Sequence, residues 1–123
     1  METDRKVLVI IPAFNEEGSV GKVVEEVKKY FRQADTLVVN DGSTDHTSEK
    51  ARASGAIVLD LPFNLGIGGA MQAGYKYAYE NGYDIAIQVD GDGQHDPKEI
   101  PKLLHVLKEK KADMAMGSRF IGD

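Results

Sequence analysis

Unbroken apolar runs alternate along this chain with stretches in which apolar residues recur every third or fourth position. The first run is Val7, Leu8, Val9, Ile10 and Ile11, closed by Pro12. It is continuous and rich in β-branched residues, the pattern of a strand covered on both faces in a parallel sheet. A turn over residues 15–19 leads into Val20, Val23, Val24, Val27 and Phe31 at helical spacing, with Lys22, Glu25, Glu26, Lys28 and Lys29 on the other side. The alternation then repeats. A strand is predicted over 36–39, a turn cluster over 40–45, a short helix over about 45–53 and a third strand over 56–59, with Gly55 ending the helix before it. Residues 61–69 form a loop containing Pro62, Asn64 and three glycines, followed by a helix carrying Ala70, Met71, Gly74, Tyr75 and Ala78 to a stop at Asn81-Gly82. A fourth strand is predicted over 85–89. Asp96 then reads as a helix N-cap, with Pro97 at the first helical position, Glu99 at N3, and Ile100, Leu103, Leu104 and Leu107 as the apolar face. Residues 112–116 are a weaker fifth strand.

Strands alternating with helices predict a single α/β unit over residues 1–123, with a mostly parallel sheet, helices on both faces and right-handed crossovers. In such a sheet the carboxyl ends of the strands share one edge, and ligands bind there. The polar clusters of this sequence, residues 12–17, 40–45, 62–69, 90–96 and 117–119, all follow predicted strands. Five loops far apart in sequence therefore converge on one cleft.

Composition narrows the chemistry of that cleft. The chain has 123 residues, a net charge of −5 and no cysteine. Its length suits one domain with a core of its own. The absence of cysteine excludes disulfides, thiolate metal sites and cysteine nucleophiles, and permits a reducing cytoplasm. The acidic balance argues against a broad nucleic-acid or anionic-membrane surface. No apolar run approaches membrane-spanning length and residues 1–6 carry no signal-peptide pattern, so a soluble chain is expected.

The most telling loop is Asp90-Gly-Asp-Gly-Gln-His-Asp-Pro97. An apolar strand delivers Asp90 and Asp92 to the ligand edge on glycine-loosened backbone. Hard oxygen ligands there suit Mg²⁺ or Mn²⁺, with Gln94 as a neutral third oxygen and positions left for phosphate and water. The competing reading is a solvated turn, and capping accounts for Asp96 completely. A calcium EF-hand does not fit, since His95 stands at the sixth loop position and Pro101 at the twelfth. Gly66, Gly68 and Gly69 are not a dinucleotide fingerprint: they follow the third strand, and Met71 takes the last glycine position. They suit close backbone approach to a ligand, or simply a tightly packed helix entry. Asp41 can accept hydrogen bonds from a base or ribose, or serve as a turn acceptor, a role that suits Asp45 better. Phe14 and Phe63 can stack on a base or cover the sheet edge. Arg119 offers a planar cationic fork to a diphosphate, with a surface ion pair as the plain competitor. An aspartate-dependent phosphatase ranks far lower, because its paired aspartates follow the first strand.

Taken in order, Ile11-Pro-Ala-Phe-Asn-Glu-Glu17, Val38-Val-Asn-Asp-Gly-Ser-Thr-Asp45, Asn64-Leu-Gly-Ile-Gly-Gly-Ala70, Asp90-Gly-Asp-Gly-Gln-His-Asp-Pro97 and Gly117-Ser-Arg-Phe120 resemble the family 2 inverting glycosyltransferases. The branch most resembled is that of the dolichyl- or polyprenyl-phosphate mannosyltransferases. The resemblance implies a Rossmann-like GT-A fold that binds a nucleotide-diphosphate sugar. It implies that Pro12, Phe14, Glu16, Val39 and Asp41 hold the nucleoside, with the glycine loop from Gly66 beside the donor. It likewise implies that Asp90, Asp92 and Gln94 hold Mg²⁺ or Mn²⁺, with Gly91 and Arg119 near the diphosphate or sugar. The acceptor implied by the branch is a lipid phosphate, with a cytoplasmic chain whose parent is membrane-associated. Asn40 stands where many relatives carry aspartate, and Phe63-Asn64 where some carry basic residues; both bear on the base and sugar bound. Catalytic domains of the family continue past the Gly-Ser-Arg segment into an acceptor half that carries the general base. The expectation is therefore a donor-binding portion with no base of its own. The alternative is a metal-dependent nucleotide-sugar binding module without turnover. An open sheet edge beside the fourth strand and homo-oligomerisation are expected to follow.

Overall fold

The computed structural model describes residues 6–91 and the backbone of residues 103–106. Five strands form one sheet in the order β3-β2-β1-β4-β5. They are β1 (Val7–Ala13), β2 (Asp35–Asn40), β3 (Ile57–Asp60), β4 (Ile85–Gln88) and β5 (Leu103–Val106), with helices α1 (Val20–Tyr30), α2 (Thr47–Ala53) and α3 (Gly66–Glu80) between the first four. Strands β1 to β4 are parallel.

The apolar run of β1 sits at the centre of the sheet, and Leu8, Val9, Ile10 and Ile11 are fully buried. Its odd members pack with Val20, Val23, Val24 and Val27 of α1 and Ala51 of α2. Its even members pack with Ala70, Met71 and Ala78 of α3. Helices therefore cover both faces, and a continuous rather than alternating apolar run is what a strand between two cores requires.

β1 does not stop at Pro12 but continues to Ala13, paired only with β2 beyond Ile10. The carbonyl of Ala13 accepts from Asp41 N on the β2 side, and that of Ile10 accepts from Val89 N on the β4 side. Alternation places the missing N–H of Pro12 on the β4 side, past the end of that strand's pairing, where the ladder needs no donor.

The chain winds from β1 outward through β2 and β3, then crosses back to place β4 on the other side of β1. This reversal makes the gap between the carboxyl ends of β1 and β4 the switch point at which such sheets bind ligands.

One sequence expectation is overturned. Residues 103–106 are not a helical turn but a strand, antiparallel to β4, with Ile85 opposite Val106 and Gln88 opposite Leu103. The spacing of Ile100, Leu103, Leu104 and Leu107 satisfies a helix, but four residues of Leu-Leu-His-Val also satisfy a strand. The unpaired edge of β4 decides between them. The open edge expected beside β4 is accordingly covered by β5. The proposed cap at Asp96 and the strand over 112–116 lie outside the described residues.

Candidate active site: a cleft at the strand carboxyl ends

The loops after β1 and β2 are laced together by side chains. Asn15 N donates to Ser43 Oγ at 2.8 Å, and Asn15 Oδ1 accepts from Thr44 N at 2.8 Å. Glu16 N donates to Thr47 Oγ1 at 2.8 Å, Glu17 N to Asp45 Oδ2 at 3.2 Å, and His46 N to Glu17 Oε1 at 3.0 Å. Asp45 Oδ1 also accepts from Thr47 N at 2.9 Å, closing the Asx turn expected of it. Partial desolvation pushes the Asp45 carboxyl up, but hydrogen bonds from the Thr47 hydroxyl, the Thr47 N–H and the Glu17 N–H outweigh it and leave it below the usual carboxylate range. The two loops thus form one wall.

Behind that wall Asn40 joins β2 to β3. Its Nδ2 donates to Asp60 Oδ1 at 2.9 Å, while its Oδ1 accepts from Ser43 N at 3.1 Å. Only an amide can donate and accept in these directions, so an aspartate here would set its charge against Asp60. Asn40 is buried and does not line the cleft, so its identity serves the loop architecture. The hydrogen bond from Asn40, helped by Arg52 at 2.8 Å and opposed by partial burial, holds Asp60 below the ordinary carboxylate range.

The facing wall is the segment between β3 and α3, and it hangs on Asp41. The buried Asp41 carboxylate accepts from Leu65 N at 2.8 Å on Oδ1, and from Gly66 N at 3.0 Å and Asn64 Nδ2 at 3.1 Å on Oδ2. Leu65, the N-cap residue of α3, has no side chain able to cap, so Asp41 caps α3 from another loop. Gly42 makes the approach feasible: its φ is +76°, and a Cβ there would lie 2.5 Å from Asn64 N and Phe63 C.

The third side is the end of β4. Gly91 packs so closely on β1 that an added Cβ would lie 3.0 Å from the Pro12 carbonyl oxygen. Together these elements enclose an open cleft of about 470 Å³, lined by Pro12, Ala13, Phe14 and Glu16, by Asp41, by Asn64, Gly66 and Ile67, and by Asp90 and Gly91. Phe14 is 45% exposed, its ring available at the rim. The charged side chains of the lining are all carboxylates, a donor chemistry that fits a hard cation such as Mg²⁺ or Mn²⁺. No group of three or more potential ligands forms among the described residues, of which Asp90 lines the cleft. Asp92, Gln94 and Arg119 lie outside them.

Residues 8–123 match the family described as Glycosyl transferase family 2. The chain belongs to that family. It is 36% identical over 119 residues to an undecaprenyl-phosphate mannosyltransferase of Micrococcus luteus, covering 93% of this chain and 48% of the relative. A polyprenol monophosphomannose synthase of Mycolicibacterium smegmatis is 33% identical over 123 residues, covering 95% of this chain and 46% of the relative. The chain thus spans about half the length of these relatives. Among solved structures, glucosyl-3-phosphoglycerate synthase of Mycobacterium tuberculosis, in complex with Mg²⁺ and uridine diphosphate, superposes with a TM-score of 0.63 at 28% identity, over 73% of this chain and 34% of that one.

For this family 2 chain, the residues that sequence reasoning singled out fall into three groups. Pro12, Phe14, Glu16, Asp41, Gly66, Asp90 and Gly91 meet in the cleft. Val39 does not line it: its side chain is fully buried against the α3-side core. Asp92, Gln94 and Arg119 fall beyond the described residues. Sequence reasoning put the loops over 12–17 and 62–69 at the cleft but gave Ala13 and Ile67 no role of their own, and it read Asn64 only as a departure bearing on the base and sugar. For its lining role the available signal was an asparagine two positions before a glycine-rich helix entry, from which its amide can reach a neighbouring loop.

Proposed function

We propose that this family 2 chain binds a nucleotide-diphosphate sugar in the switch-point cleft and takes part in transfer of the sugar, with inversion, to an acceptor. The observation that carries the reading is the meeting of the Phe14–Glu16–Asp41 wall with the Asp90–Gly91 turn across one cleft. The exposed Phe14 ring suits stacking on a base, and Glu16 and Asp41 suit hydrogen bonds from base or ribose. Asp41 has spent most of its lone pairs on α3, so it presents a fixed acceptor rather than a mobile one. Asp90, with Asp92 and Gln94 from the sequence, would hold Mg²⁺ or Mn²⁺, and Arg119 would neutralise diphosphate. When bound, the cation supplies Lewis-acid stabilisation of the departing diphosphate. An acceptor oxygen attacks the anomeric carbon from the face opposite that leaving group; a hydroxyl acceptor gives its proton to a general base, whereas a phosphate oxygen attacks already ionised. We assign that base to no residue of this chain.

The acceptor we propose is a polyprenyl phosphate, in line with the two relatives named above. Such an acceptor sets the reaction at a membrane surface, although no helix among the described residues is long and apolar enough to cross one. Titration calorimetry with UDP and GDP, with and without Mn²⁺, tests the reading. Metal-dependent binding of at least one is expected, and binding of neither overturns it. Binding without transfer to a polyprenyl phosphate selects the module that holds a donor but does not turn over.

A further inference from the structure

Ser19 occupies the N-cap position of α1, yet its hydroxyl makes no bond to that helix. A serine there ordinarily accepts from an amide of the first turn. Here the backbone carbonyl of Glu16 already takes the N–H of Val20 at 2.8 Å, and the Ser19 side chain turns away from the helix. Its Oγ lies 2.9 Å from the carbonyl oxygen of Gly91, 72 positions along the chain, and 3.1 Å from Glu16 Oε1. A hydroxyl has one proton, so these two acceptors compete for a single donor. β1 lies close on the side of Gly91 where a side chain would stand: an added Cβ would meet the Pro12 carbonyl at 3.0 Å and the Ala13 and Ile11 side chains at 3.3 Å. The hydroxyl therefore pins the Gly91 peptide group from the α1 side while β1 supports it from below.

We propose that Ser19 is a positioning residue for the donor site. By holding the Gly91 carbonyl it fixes the turn that aims Asp90 into the cleft, and through the shared proton it ties that turn to Glu16 on the nucleoside wall. Neither feature serves α1, and both act on residues that line the cleft. The proposal rests on the reading of the cleft as a nucleoside diphosphate and cation site. It makes Ser19 a support of the turn that follows the cation ligand Asp90, touching neither cation nor substrate.

The test compares Ser19→Ala with Ser19→Thr in the 123-residue chain. Two quantities are read: the carbonyl ¹³C resonance of Gly91 without ligand, and the Mn²⁺ concentration that half-saturates nucleoside diphosphate binding, using UDP or GDP according to which one the wild type takes. In Ser19→Ala the Gly91 carbonyl signal is expected to move upfield as its hydrogen bond is lost. The Mn²⁺ requirement is expected to rise, by up to roughly the tenfold at the lower end of what losing a ligand's direct outer partner costs. Ser19→Thr, which restores the hydroxyl, is expected to return both toward wild type. An unchanged Gly91 signal overturns the proposal, and so does a moved signal with an unchanged Mn²⁺ requirement. Should Ser19→Ala fail to fold, Ser19→Thr against Ser19→Val reads the same difference at nearly constant shape. If the wild type binds neither nucleotide, the donor-site reading itself fails and takes this proposal with it, an outcome distinct from either failure at Ser19.

Discussion

The two long walls of the cleft are built on opposite plans. The wall made by the loops after β1 and β2 is held by many exchanged hydrogen bonds, among them Asn15 with Ser43 and Thr44, Glu16 with Thr47, and Glu17 with Asp45 and His46. The wall between β3 and α3 is held chiefly by one carboxylate, Asp41, which takes three donors from residues 64–66. Distributed bonding lets the first wall lose any single contact and keep its shape. Concentrated bonding gives the second wall one point of failure, at a residue that also faces the ligand.

That contrast is open to direct attack. The largest effect is expected from Asp41→Ala, which leaves two backbone N–H groups and one amide without their charged acceptor in a buried setting. A stability loss of about 3–4 kcal/mol in urea denaturation is expected, together with loss of nucleotide binding. A loss no larger than that of an average surface substitution would show that the second wall has other support. A smaller effect is expected from Thr47→Val on the first wall. Thr47 is fully buried, and its hydroxyl serves both Glu16 N and Asp45. A loss of about 1–1.5 kcal/mol is expected, with nucleotide binding retained once the protein is folded. A Thr47 effect equal to that of Asp41 would erase the distinction.

The smallest effect is acidic. The hydrogen-bonded carboxylates of Asp45 and Asp60 both lie below their ordinary value of 3.8 in the folded chain. A depressed carboxylate contributes stability that is fully present above its unfolded pKa and is lost as pH falls through its folded pKa. Below about pH 4, the denaturation midpoint of the wild type should fall more steeply than that of an Asp45→Asn, Asp60→Asn double variant. Parallel profiles would remove these two groups from the acid response of the first wall and of the β2–β3 link behind it.

Much of this arrangement is legible in the sequence, for a physical reason. A strand buried on both faces has no solvent side on which to place polar residues, so Val7 to Ile11 announces a central parallel strand. Parallel connection then places every loop after a strand at one edge, which brings Phe14, Glu16, Asp41, Gly66 and Asp90 together without any knowledge of contacts. What failed was local pattern where two structures satisfy it equally, as at residues 103–106. Single-residue roles that depend on a distant partner were equally hidden. Asn40 reads as a departure bearing on the base and sugar, but its partner is Asp60, twenty positions away. Ser19 reads as a turn residue before a helix, and its partner is Gly91.

The sequence by itself determined the order of elements, the edge at which the cleft forms and most of the residues that line it, because these follow from periodicity and chain direction. Tertiary structure alone decided that residues 103–106 become a strand, since an unpaired edge of β4 is satisfied only by another backbone. It alone decided that Asp41 caps α3 and that the Ser19 hydroxyl leaves its own helix for Gly91. Buried donors and acceptors must find partners, and which partners lie within 3 Å is fixed only once the sheet has brought the loops together.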